Sequence, residues 1–126
     1  KVCSEKSEFI KGRGSVIQLP VAHGEGKFVC RDRSVLDGLE RNGQVVLQYV
    51  GPSGEEAGYP WNPNGSARGV AGLCDPTGRV LGLMPHPERF ADALNHPQWG
   101  SRDRGAKPDG MKLFENAYSY VDRVLL

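Results

Sequence analysis

The stretch GVAGLCDPTGRVLGLMPHPERF, residues 69–90, decides the fold. Two short apolar runs, GVAGLC and RVLGLM, flank Asp-Pro-Thr-Gly, which has the composition of a tight turn, so the pair predicts a β-hairpin. Straight after the second strand come Pro85, His86, Pro87 and Glu88. Just upstream, QVVLQYV (44–50) is β-branched and apolar and predicts a further strand. SVLDGLERNG (34–43) predicts a helix, with Ser34 and Asp37 as a weak capping box and Gly43 at the stop. VIQLPVA (16–22) predicts a buried strand that ends at the turn His23-Gly24-Glu25-Gly26, and KFVC (27–30) a short return strand. Residues 51–69 collect Gly, Pro, Asn and Ser, the chemistry of a long loop, and 96–109 read as a polar, mobile connection. Near the chain end, Met111, Phe114, Tyr118, Val121 and Leu125 recur at helical steps and predict one stripe facing a core. Strands mixed with helices make this an α/β chain. Two clear helices are too few to cover both faces of such a sheet, so the chain reads as half of a domain or one that leans on a partner.

The composition narrows the function. At 126 residues the chain has the size of one domain. Sixteen Lys and Arg against fifteen Asp and Glu leave no basic footprint for nucleic acid. No apolar run reaches the roughly 20 residues of a membrane helix. Three cysteines, Cys3, Cys30 and Cys74, are odd in number and far apart, which argues against a disulfide framework and for a reducing compartment. The chain opens on a lysine in a strand-like run and reads as a piece of something longer.

Three constellations can carry chemistry. In an extended strand end, residues i and i+2 point the same way, so His86 and Glu88 project together, held stiffly by Pro85 and Pro87. A carboxylate beside an imidazole fixes its tautomer and stabilises the imidazolium, as a general base serving a nucleophile requires. The same residues also read as a Pro-rich turn with a surface ion pair. His23, Gly24 and Glu25 form a Gly turn after a strand, suited to close backbone approach by a ligand or simply to an exposed bend. Asn62, Asn64 and Ser66 are turn formers in an ordered surface loop around Trp61. None of the cysteines lies in a G-x-[SC]-x-G elbow, and all three read best as small buried hydrophobes. The base and its orienter are visible without their nucleophile.

Together LPVAHGEGKF, YPWNPNGSARGVAGLC, LGLMPHPERF and LFENAYSYV resemble, in order and spacing, the glutamine amidotransferase component of the phosphoribosylformylglycinamidine synthase family, a class I triad glutaminase. The resemblance runs from about residue 18 to residue 121. It implies a flavodoxin-like three-layer αβα sandwich, of which residues 1–126 are the C-terminal half of a single domain. The family's triad is a cysteine in a G-x-C-N-G elbow followed by the His and Glu of an HPE motif, and the last two fall on His86 and Glu88. The HGEG turn is similar to the segment that holds the main-chain groups of glutamine, which makes His23, Gly24 and Glu25 the substrate-binding candidates. No G-x-C-N-G occurs in the sequence, so the resemblance implies that the nucleophile lies in a missing N-terminal half. It also implies glutamine as substrate and a synthetase subunit or domain as partner. Mg-ATP would be used in that synthetase, no cofactor would sit in this chain, and the location would be cytoplasmic, without nucleic acid or membrane. The alternatives are another triad glutaminase, a γ-glutamyl hydrolase, or a non-catalytic interaction or scaffold domain on the same half-fold.

Overall fold

The hairpin forms as expected. A computed structural model describes residues 1–12, 14–22, 24, 26–101, 105 and 107–124. Strand β2 (Val70–Cys74) pairs antiparallel with β3 (Leu81–Leu83), with Gly72 opposite Leu83 and Cys74 opposite Leu81. Asp75 closes the turn: its carboxylate accepts from the amides of Thr77, Arg79 and Val80 and from the Thr77 hydroxyl at 2.6–3.0 Å. These donors, the Thr77 hydroxyl foremost, pull the Asp75 pKa down to about 2. Gly78 completes the turn at φ +75°, with the Lys6 carbonyl packed where a Cβ would stand.

Strand β1 (Val45–Gln48) lies antiparallel on the other side of β2, giving the order β1-β2-β3. Its register against β2 shifts twice, at Val46 and at Ala71, as bulges do. Helix α1 (Arg33–Arg41) precedes it. Asp32, not Ser34, is the N-cap: its carboxylate accepts from the Val35 amide and the Ser34 hydroxyl. Asp37 instead pairs with Arg68 at 2.6 Å, alongside Glu40. The helix ends in a Schellman arrangement, with Gly43 at φ +66° donating to Glu40 O and Gln44 to Leu39 O. Helix α2 (Asp109–Val124) closes the described chain.

Two apolar clusters pack around the sheet. Leu36 of α1 joins Val45 and Val70, while Leu113 of α2 joins Ile10, Val46, Leu47, Ala71 and Cys74. Neighbouring strand residues Val45 and Val46 enter different clusters, as alternation along a strand dictates. Each helix therefore serves its own cluster, and the architecture is α/β with a small antiparallel sheet.

Four expectations fail here. The stripe Met111, Phe114, Tyr118, Val121 is exposed, with Phe114 at 46% and Tyr118 at 72%. The inward face carries Gly110 and Leu113, and the Asn116 side chain donates to the carbonyls of Phe9 and Lys11. Leu125 lies outside the described residues. Residues 16–22 form no strand; Val16 and Val21 are exposed. Their backbone groups go to other partners: the Gln18 amide to the Asp109 carboxylate, and Pro20 O to the His86 amide. Residues 27–30 likewise form no strand, since Phe28 bonds the Ser66 hydroxyl and the Ala67 amide. Cys74 is buried as expected, but Cys3 is exposed. Among the described residues no helix is long and apolar enough to cross a membrane.

Candidate functional site

Strand β3 runs out at Leu83, and Met84 adds one more ladder bond, to Ala71 O at 3.0 Å. Pro85 is buried and directs the chain across the strand end. His86 follows at φ −105°, ψ 89°, and Pro87 opens a 3₁₀ turn, Pro87–Phe90, that is anchored by buried Phe90. The pair meets, though not by the extended geometry of a strand: Glu88 lies within the 3₁₀ turn and reaches back, placing Oε1 2.7 Å from His86 Nδ1.

The chemistry of this contact is directional. An ionised carboxylate has no proton to give, so Nδ1–H is the donor and Nε2 keeps its lone pair. Glu88 keeps its charge to lower pH than an ordinary glutamate. Its own backbone N–H and the His86 ring hold its carboxyl below the usual range, and Arg89 adds attraction at 4.0 Å. The His86 side chain as a whole is 31% exposed. A carboxylate on Nδ1, the tautomer it fixes and the lone pair left on Nε2 are what a general base requires.

The His86 amide donates to the Pro20 carbonyl at 2.8 Å, four residues before the turn at Gly24 in sequence. Gly24 is exposed and a Cβ there would meet nothing; His23 and Glu25 fall outside the described residues. The far side of this turn is tied to the Asn-rich loop. Asn64 Nδ2 donates to Gly26 O at 2.9 Å, the Ser66 hydroxyl accepts from the Phe28 amide at 3.0 Å, and Ser66 Oγ donates to Val70 O at 2.6 Å. Asn62 braces the loop from within through Ser66 N and Ser66 O. Sequence reading took these three side chains as local turn formers. Asn62 is local in this way, while the reach of Asn64 and Ser66 across 38 residues has no local signature.

A groove of about 510 Å³ beside the site has Leu19, Pro60, Trp61, Pro63 and Pro85 in its lining. Neither His86 nor Glu88 is among its lining residues. Among the described residues no group of three or more His, Cys, Asp or Glu side chains gathers to hold a metal ion.

Residues 1–121 match the model of the CobB/CobQ-like glutamine amidotransferase domain. The chain is similar to the phosphoribosylformylglycinamidine synthase subunit PurQ of Methanococcus maripaludis strain C7, 38% identical over 91% of this chain and 46% of that protein. It is 42% identical to the subunit of the same name from Archaeoglobus fulgidus, over 96% of this chain and 44% of the relative. The subunit of that name from Trichormus variabilis is 46% identical over 86% and 39% respectively. The chain thus spans less than half the length of these relatives. With residues 1–121 inside the family's match, the chain belongs to the CobB/CobQ-like glutamine amidotransferase domain family.

Proposed function

We propose that this chain supplies the base half of a glutaminase site and forms the C-terminal part of one amidotransferase domain, a flavodoxin-like three-layer αβα sandwich when complete. The observation that carries the reading is the 2.7 Å contact between His86 Nδ1 and Glu88 Oε1 at the end of β3. In the complete protein a cysteine from a G-x-C-N-G elbow, a motif this sequence does not contain, is the nucleophile. His86 Nε2 takes the thiol proton, the thiolate attacks the glutamine side-chain amide, and His86 returns the proton to the departing ammonia. His86 then deprotonates the water that cleaves the thioester, releasing glutamate and the free thiol. Glu88 holds the ring and steadies the imidazolium at each stage. Gly24, with His23 and Glu25, offers the turn for the main-chain groups of glutamine.

The similarity to PurQ subunits supports a place in phosphoribosylformylglycinamidine synthase, and the reading puts the chain in the cytoplasm. The ammonia would pass to a synthetase partner, which uses Mg-ATP to activate formylglycinamide ribonucleotide; no cofactor is required of this chain. The test is glutaminase activity of the chain complemented with a segment that carries the elbow. His86→Ala should lower turnover by about 10³-fold or more, and Glu88→Gln by less, since it keeps the ring partly oriented. Turnover untouched by either change would leave the pair structural and favour the scaffold reading.

A further inference from the structure

Helix α2 begins against the back of the site. Gly110, in its first turn, is buried. A Cβ there would collide with Pro87 O and stand 2.5 Å from Phe90 O. Both obstacles are backbone carbonyls of the 3₁₀ turn that carries Glu88, so no flexible side chain can swing away. The glycine serves close approach rather than an unusual φ, since it is not among the residues in the left-handed region.

The preceding residue holds the other member of the pair. Asp109 Oδ2 accepts from the Gln18 amide at 2.9 Å. Gln18 is pinned a second time through its side chain, where Oε1 lies 3.2 Å from His96 Nε2. His96 Nδ1 accepts from the Gln98 amide, so the Nε2 proton is the one that points at Gln18. Two residues on from Gln18, Pro20 O receives the His86 amide. One step of chain, Asp109-Gly110, thus seats the turn of Glu88 directly and the backbone of His86 through the 18–20 segment.

We infer that Asp109 and Gly110 are positioning residues whose task is to set the His86–Glu88 geometry. The inference builds on the glutaminase reading only for its purpose. An orienting contact tolerates displacements of roughly 0.5 Å, and a 1 Å error can cost about 10²-fold in rate, so a rigid seat has functional value.

The test reads the ring rather than turnover, so the positioning claim and the glutaminase claim stand or fall separately. On the 126-residue chain, ¹⁵N-histidine long-range correlation spectra at alkaline pH report which imidazole nitrogen of His86 carries the proton. The wild type should show Nδ1–H with bare Nε2. Gly110→Ala, folded by circular dichroism, should move His86 towards Nε2–H as the pair separates, while Phe114→Ala on the exposed face of the same helix should leave the wild-type tautomer. An unchanged tautomer in folded Gly110→Ala overturns the inference, as does the same shift in Phe114→Ala. Should Gly110→Ala not fold, Asp109→Ala decides. The His86 amide should then exchange with solvent about tenfold faster relative to the Cys74 amide, and an unchanged ratio overturns the inference.

Discussion

Leu113 and Phe114 are adjacent in α2, and they give opposite forecasts for the same truncation. Leu113 is 2% exposed and packs with Ile10, Val46, Leu47, Ala71 and Cys74, whereas Phe114 is 46% exposed. Leu113→Ala removes three carbons, about 2.4 kcal/mol at roughly 0.8 kcal/mol per buried CH₂. The hole is walled by strands and cannot collapse fully, which brings the loss to about 3–5 kcal/mol. Phe114→Ala leaves no walled cavity, and alanine returns about 0.5 kcal/mol of helix propensity, so its net cost should be about 1 kcal/mol. At about 3–5 °C per kcal/mol for a chain of this size, the expected fall in Tm is about 10–20 °C for Leu113→Ala and under about 5 °C for Phe114→Ala. Thermal unfolding followed at 222 nm distinguishes them. A larger drop for Phe114→Ala than for Leu113→Ala would refute the orientation of α2, and with it the seating of Gly110 on the 3₁₀ turn.

The β2–β3 turn yields two more tests. Asp75 has a folded pKa of about 2 against an ordinary 3.8, a depressed carboxylate; its contribution is therefore complete above about pH 4 and lost as pH falls through 2. Melting of the wild type between pH 5 and pH 2 should show an acid-induced loss that is smaller in Asp75→Asn, and parallel curves would contradict the turn geometry. Gly78→Ala combines a left-handed φ with a Cβ placed onto Lys6 O, and should cost about 2 kcal/mol or more by urea unfolding. An indifferent midpoint would mean that residues 6–7 do not pack over the turn.

The hairpin was legible because its signals are local: two apolar runs and an Asp-Pro-Thr-Gly turn whose aspartate caps its own backbone. Helix α1 and β1 were legible for the same reason, down to Gly43 at the helix end. Helix α2 was found but rotated. Its sequence offers apolar residues in two phases, and the more regular one, through Met111, Phe114 and Tyr118, is the exposed one. Periodicity ranks faces by apolar content, and an inward glycine and asparagine count against the true face. Residues 16–22 misled in the opposite way. Their β-branched composition fits a strand, yet a strand is defined by its neighbour, and here the amide of Gln18 and the carbonyl of Pro20 bond a helix-start carboxylate and the site itself.

The candidate site divides along the same line. His86 and Glu88 were visible because the chemistry lies in side chains two apart, and the turn that replaces the expected extended geometry still brings them to 2.7 Å. What holds them was not visible. Gly110, Asp109, Asn64 and Ser66 each act on a backbone group far away in sequence, and a backbone carbonyl looks the same at every residue. A glycine whose missing Cβ leaves room for Pro87 O reads as a helix-start glycine and nothing more. The reacting groups of such a site are therefore written in residue type, and their alignment in contacts between backbone segments. A substitution scan confined to the titratable residues would find the first and miss the second.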